Sequence, residues 1–492
     1  MRKLWLAGML AFGLMIVAAC GGEVVIEDYI ANEEAEKEYE EAELTQQELF
    51  IQDLDYMLYV LENNFALFDV AYWAHGADIP EIINDMRTVV MENPDMDLDE
   101  FYDALVLNFD RLFGVGHFSI VTPANHRDIV SNTSSYSKDA LARFSYRNVL
   151  SFYEPRYPDV SLSPLERAAN TIRLFGESRI QRLVSLTLFM GEAELSGKIE
   201  QAFANGDFEE AANLTALGEE IYDSTPIVVT DIIEEGSIAY LALNSFMPNR
   251  FTYGDQVQIL KFFDEVRDFE HLILDIRMNT GGHETIFFEN IMGPNISEEF
   301  RLKSYAFMVP GYYFEEFLIN VSPNTRIDWV IPTEEQRRTV PDMLENFDFI
   351  ELNFSDMERM EYGFVPQDIV ILPMNQNHFG NVPAFSGKIW LLTGPLVTSA
   401  AQVSAWAAKE SGFATLVGEV TGGVFGGPRT YVALPNTGVL FRFDLFYITD
   451  ERGRPLEAGT VPHHFNRDGM DALETTLALI ADGEYHSGSS TK

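Results

Sequence analysis

Cysteine is almost missing from this chain: Cys20 is the only one in 492 residues. No disulfide can form within one chain, and no C-x-x-C or H-x-x-x-H spacing is present to build a metal site. His283, His463 and His464 are the histidines to weigh as ligands. The adjacent pair would point to opposite faces of a strand, so no metal or other cofactor is expected. Positive charge is also scarce. Against 77 acidic residues there are 33 basic ones, a net charge of −44. Such a chain repels nucleic acid and anionic lipid headgroups, so nucleic-acid binding is excluded. Long apolar runs are lacking too: Leu4 to Val17 is short for a membrane-spanning helix. What is abundant is material for a core, with 47% hydrophobic and 13% aromatic residues, enough for two or three domains.

The N-terminus has the anatomy of an export signal. Met1-Arg2-Lys3 is positive, the apolar run follows, and Val17-Ala18-Ala19-Cys20 is a small-residue cleavage site. Residues 1–20 resemble a bacterial lipoprotein signal. The resemblance implies a lipid on Cys20 and a protein anchored to a membrane on the extracytoplasmic side of a bacterial cell envelope. Residues 21–46 are rich in Glu, with EEAEKEYEEAE at 33–43, and read as a solvated tether.

Residues 47–121 read as a helical subdomain. Leu54, Met57, Leu58 and Leu61 recur at helical spacing, and Asp95 to Glu100 is an acidic helix start. The subdomain ends in a glycine turn, Gly114-Val-Gly-His117, and a strand to Val121. Residues 122–225 read as a helical insertion, with amphipathic helices over 165–182 and 195–222. From Pro226 strands and helices alternate, giving an α/β domain over 226–481. Its pieces are a hairpin over 227–233 and 237–244, a helix over 254–269, a buried strand over 271–276, strands over 431–434 and 439–447, and a final helix over 470–480. Residues 300–385 form a long aromatic-rich insertion, and 482–492 a polar tail.

The remainder is organised around residues 388–427. An apolar strand from Lys388 to Thr393 ends at Gly394-Pro395. A turn with Thr398-Ser399-Ala400 opens an Ala-rich helix, and a second strand over 414–418 leads into a glycine-rich loop. Ser399 has two readings here. It can cap the helix, as Ser and Thr commonly do. It can instead be a nucleophile at the end of a strand, beside unpaired N–H groups that receive an oxyanion. Thr398 could cap in its place.

Three segments together resemble peptidase family S41, in its tricorn-like branch related to the C-terminal-processing peptidases. The first is Asp275-Ile-Arg277-Met-Asn279-Thr-Gly281-Gly282, similar to the family's D-x-R-x-N-x-G-G turn. The second is Thr398-Ser399-Ala400-Ala401 followed by Gly418-Glu419-Val-Thr421-Gly422-Gly423. The third runs from Asp450 through Glu457 to Pro462. The resemblance implies an α/β fold with a crotonase-like (ClpP-like) spiral catalytic core. It implies Ser399 as nucleophile, His117 as base and Glu457 as the carboxylate orienting it. It also implies an oxyanion hole from Gly281, Gly282 and Ala400. A serine needs a base to take its proton, and the base works better when a third group fixes its tautomer. Ser399 Oγ and a His117 ring nitrogen are expected within hydrogen-bond reach or slightly beyond it in an empty site.

The family's other branch pairs its serine with a lysine about one βα unit later. Here the glycine-rich loop has none; Lys409 is the only lysine between Ser399 and Lys492. Two departures from the tricorn-like pattern stand out. Gly116 replaces the serine that often precedes the histidine, and His463 follows Pro462 where an acidic residue is common. Glu419 competes with Glu457 as the carboxylate. The expected function is a membrane-anchored serine peptidase acting on peptides or unfolded proteins, without cofactor. The rival is an S41-fold lipoprotein that binds peptides without cutting them. A homo-oligomer is left open by the sequence.

Overall fold

The N-terminal helices follow directly from their sequence. The computed structural model describes residues 44–112, 114–131, 143–157, 193–204, 210, 214, 217, 225–314, 336–374, 384–425, 427 and 429–483. The signal segment with Cys20, most of the tether and the helix expected over 165–182 lie outside the described residues. Helix α1 (Gln46–Asn64) buries Phe50, Leu54, Met57 and Leu61 along one face. Helices α2 (Phe68–His75), α3 (Ile79–Glu92) and α4 (Leu98–Asn108) follow. The acidic start of α4 is a capping box: Asp97 accepts from the N–H groups of Asp99 and Glu100, and Glu100 returns a bond to Asp97 N–H. After the turn at Val115–His117 come a two-residue strand β1 (Ser119–Ile120) and helices α5 (Pro123–Ser131), α6 (Arg147–Tyr153) and α7 (Ala193–Ala204).

The expected hairpin is β2 (Val228–Glu234) against β3 (Ile238–Leu243), followed by α8 (Tyr253–Val266) and β4 (His271–Asp275). The aromatic insertion is more regular than its sequence suggests. It contributes β5 (Phe300–Leu302), β6 (Tyr305–Met308), β7 (Arg338–Thr339), α9 (Val340–Asn346), β8 (Tyr362–Phe364) and β9 (Ile369–Ile371). Then come β10 (Lys388–Thr393), α10 (Ala400–Glu410), β11 (Thr415–Gly418), β12 (Arg429–Ala433), β13 (Leu440–Asp444), β14 (Phe446–Thr449), β15 (His464–Phe465) and α11 (Ala472–Asp482). The run expected as one strand over 439–447 breaks at Leu445. β13 lies between β1 and β12, whereas β14 pairs with β6 in the sheet β14-β6-β8-β7.

The fold is mixed α/β around a six-stranded sheet of order β15-β11-β10-β4-β3-β2, parallel throughout except for the edge strand β2. A parallel sheet is covered on both faces, which is why β4 is buried at every position. The period of two divides its side chains. Ile273, Trp390, Leu392 and Val417 pack with Ala472 and Leu479 of α11. Leu272, Leu274, Leu391 and Leu416 join the larger core that holds Val403 and Ala407 of α10. Each large apolar side chain so buried contributes about 1.5–3 kcal/mol. Leu391 pairs with Leu274 and Leu392 with Asp275, so adjacent strands end together. Their C-terminal ends therefore deliver two turns side by side, one at Arg277–Gly282 and one at Gly394–Ala400.

Candidate active site

The D-x-R-x-N-x-G-G turn is held by its own polar side chains. Asp275 is buried and paired with Arg277 at 2.7 Å, and Tyr240 Oη donates to it at 2.9 Å. Arg277 also reaches Asp471 at 2.9 Å, which fixes the turn to the start of α11. Asn279 donates to Leu243 O and accepts from Gly281 N–H, both at 2.9 Å. The glycines are required by space. At Gly281 (φ +103°) a Cβ would stand 2.8 Å from Ser399 Cβ and 3.1 Å from Ala400 N. The first motif is thus packed on the second.

Ser399 does not cap its helix. It sits at φ 55°, ψ −126°, makes no side-chain bond to the helix N–H groups, and is partly exposed. Its N–H donates to Gly423 O at 3.0 Å. Thr398 does not cap either; its hydroxyl donates to Thr280 O at 3.1 Å. Among the described residues, the N–H groups of Ala400 and Gly282 have no acceptor and are free to receive an oxyanion. The Gly281 N–H is not, because Asn279 Oδ1 occupies it. That corrects the expected oxyanion hole: Gly281 supplies clearance for Ser399 rather than a donor.

His117 closes the one-turn segment Val115–His117 at φ 51°, directly after Gly116 at φ 50°. A serine at 116 would need its neighbours to move: a Cβ there would meet Leu67 Cδ1 at 2.6 Å and Phe65 Cε2 at 2.9 Å. The His117 ring is bonded through Nδ1 to Asp444 Oδ2 at 2.6 Å. Asp444 ends β13 and is fully buried; its Oδ1 has no hydrogen-bond partner. The register Ser119↔Arg442 between β1 and β13 sets this meeting.

Glu457 is therefore not where the sequence places it. Its carboxylate, fully buried, accepts from Gly116 N–H at 2.8 Å and Phe425 N–H at 2.7 Å, with His75 Nε2 at 3.8 Å. Two backbone donors occupy both oxygens, so it grips the turn before His117 instead of the ring. Burial pushes Glu457 up to about 8, against the pull of the Gly116 N–H. Burial likewise lowers His75. The grip extends toward the serine. A Cβ on Gly423 would stand 1.9 Å from Glu457 O, and Gly423 O is the acceptor of Ser399 N–H. The turns of His117 and Ser399 are thus joined through residues 423–425 and Glu457. Among the described residues no hydrogen bond links the Ser399 hydroxyl to His117 directly.

The competitors fall elsewhere. Glu419 is exposed. Lys409 Nζ donates to Val461 O at 2.9 Å, near the far end of α10 from Ser399. His463 Nδ1 accepts from Leu416 N–H at 2.9 Å, which accounts for a histidine at that position. Asp444 was missed. Its one signal in the sequence is a lone acid in the apolar run Leu440-Phe-Arg-Phe-Asp-Leu-Phe.

Comparison with known families matches residues 237–465 to the model of peptidase family S41. No curated protein matches the chain. Among solved structures, a candidate peptidase from Parabacteroides merdae is similar at 14% identity. That alignment covers 90% of this chain and 99% of the other, with a TM-score of 0.45. Mature CPAF is similar at 12% identity over 90% of this chain and 99% of its own, TM-score 0.45. The photosystem II D1 C-terminal processing protease is similar at 15% identity over 53% of each chain, TM-score 0.29. The matched segment 237–465 contains the strained serine and the glycine turn packed on it, and through that segment the chain is similar to peptidase family S41.

Proposed function

We propose that the chain is a serine peptidase. The observation that carries this reading is Ser399: a hydroxyl free of the helix it precedes, at a strained positive φ, next to the unpartnered N–H of Ala400 and packed against the turn that carries the unpartnered N–H of Gly282. Ser399 Oγ attacks a peptide carbonyl while His117 Nε2 takes its proton. The carbonyl oxygen, now anionic, receives the two N–H groups. Collapse of this intermediate breaks the C–N bond, and the amine leaves with the proton from His117. Water, deprotonated by His117, then attacks the ester and frees the acid and Ser399. The reading includes the crotonase-like spiral as the form of the core, and peptides or unfolded proteins as substrates.

The test is covalent labelling of the full chain with a fluorophosphonate, the adduct being located by mass spectrometry. Wild type is expected to label at Ser399, and Ser399→Ala and His117→Ala are expected not to. No labelling of a folded wild-type chain would favour a family member that holds peptides without cutting them. The same proposal places the protein on the outer side of a bacterial membrane, held by lipid on Cys20. Incorporation of a fatty-acid analogue that survives in Ser399→Ala but is lost in Cys20→Ser is the expected result. Equal incorporation in Cys20→Ser would remove the anchor from the reading.

A further inference from the structure

We infer that Asp444, and not Glu457, is the carboxylate that orients His117, while Glu457 braces the strained turns on either side of it. The inference rests on the serine-peptidase reading of this site. A base must present an unprotonated nitrogen to the serine, so its proton has to be held on the other nitrogen. Asp444 Oδ2 lies 2.6 Å from His117 Nδ1, and an ionised carboxylate can only accept. The pairing therefore puts the ring proton on Nδ1 and leaves the Nε2 lone pair for the Ser399 hydroxyl. Asp444 is fully buried and its other oxygen has no partner, so this is the single hydrogen bond its carboxylate makes among the described residues. A buried carboxylate with one bond is costly to keep unless that bond serves a purpose.

Glu457 has the opposite profile. Oε1 holds Gly116 N–H, on the residue before His117, and Oε2 holds Phe425 N–H, on the residue after Val424. His117 and Val424 are two of the three non-glycine residues of positive φ among those described. Each bond thus lies next to a strained residue and opposes its relaxation. Glu457 acts on the backbone and Asp444 on the ring, and both are positioning residues.

Exchanging one oxygen for an amide in each separates these roles. Asp444→Asn keeps the size but can present N–H to Nδ1, which forces the proton onto Nε2 and removes the base. The rate of fluorophosphonate labelling at Ser399 is expected to fall by about 10³–10⁴-fold, with the melting temperature close to wild type. Glu457→Gln sets an amide N–H against a backbone N–H. It is expected to lower the melting temperature and, by loosening the turns, to slow labelling by up to about 10²-fold, well short of the loss in Asp444→Asn. A second readout does not depend on turnover: the low-field proton resonance of an imidazole N–H held by a carboxylate. It is expected in wild type and Glu457→Gln and absent in Asp444→Asn. The reverse pattern, with Glu457→Gln folded but lacking both labelling and resonance while Asp444→Asn keeps both, overturns the assignment. If Asp444→Asn does not fold, the resonance in Glu457→Gln decides: persistence supports the pairing, and loss overturns it. A wild type that shows the resonance but never labels at Ser399 retains the pairing and refutes the peptidase reading instead.

Discussion

Gly281→Ala is expected to silence Ser399 while leaving the chain folded. The added Cβ would lie 2.8 Å from both Ser399 Cβ and Thr398 O, and 3.1 Å from Ala400 N. Ordinary carbon contacts need about 3.5 Å, so the two turns must separate by roughly 0.7 Å. All three neighbours belong to the segment that carries the proposed nucleophile and one proposed oxyanion donor. A misplacement approaching 1 Å costs about 10²-fold in rate. The stability cost has two parts: alanine at φ +103° adds about 1–3 kcal/mol of backbone strain, and the overlap adds about 1–3 kcal/mol. With roughly 2.1 cal/mol/K of unfolding entropy per residue over the compact unit 46–492, each kcal/mol lowers the melting temperature by about 1 °C. The variant should therefore melt about 2–6 °C below wild type. Gly412→Ala is the control: φ is +67° there, but a Cβ meets nothing within 4 Å. It should lose about 1–2 °C and label at the wild-type rate. If Gly281→Ala labels within about threefold of Gly412→Ala, the packing of the glycine turn on Ser399 has no part in activating it and the reasoning fails.

Arg277→Ala would remove the counter-charge of Asp275, which is 2% exposed and paired with that guanidinium at 2.7 Å, and should cost about 3–5 kcal/mol in denaturant unfolding. Arg277→Lys should recover only part of it, because an ammonium cannot reproduce the two-pronged grip. Asp53→Ala should cost about 2–4 kcal/mol by the same measurement. Asp53 holds the N–H groups of Asn436 and Thr437 at 2.9 Å each and the Thr437 hydroxyl at 2.6 Å, tying α1 to the turn between β12 and β13. The pH dependence of stability should carry the mark of Glu457. Its folded value, raised from 4.5 to about 8, means that the folded chain holds a proton the unfolded chain releases. That contribution is full below about pH 4.5 and is lost as pH rises through about 8. The stability difference between wild type and Glu457→Gln should therefore fall by about 1.4 kcal/mol per pH unit in that window. A difference that stays flat from pH 5 to 7 would mean that Glu457 is ionised in the fold.

Much of this was legible because it is local. The β2–β3 hairpin, the buried strand β4, the acidic cap of α4 and the placing of Ser399 between β10 and α10 each depend on residues close in sequence. What escaped depends on distant pairings. Asp444 and His117 are 327 positions apart, and nothing short of the β1–β13 register shows that they meet. Glu457 looked like a ring partner because its neighbours resemble the family's third motif, yet its two oxygens are taken by backbone N–H groups that sequence does not place. Whether Gly281 or Gly282 offers a free donor turns on the aim of the Asn279 side chain. Of the strands in 300–385 only β6 pairs outside the insertion, with β14 beyond β10 and α10; β5, β7, β8 and β9 pair inside it but are two or three residues long, too short to show a period.

The strain has a bearing on whether this protein cuts or merely holds. His117, Ser399 and Val424 are the three non-glycine residues at positive φ among those described, and they come from three separate parts of the chain. Each costs about 1–3 kcal/mol and persists only where its surroundings over-determine it. Here the surroundings are shared: Glu457 bonds the neighbours of His117 and Val424, and Gly423, packed on the Glu457 backbone, accepts from Ser399 N–H. A surface that only binds extended peptides needs apolar area and backbone partners, which relaxed residues supply equally well. A nucleophile needs its hydroxyl turned away from the helix cap and its base fixed before substrate arrives, and that preorganisation is what a strained backbone provides. Two of the three strained residues are the serine and the histidine of the proposed site, and the third lies in the segment 423–425 that joins their turns. On that ground the strain argues for a chain that cuts.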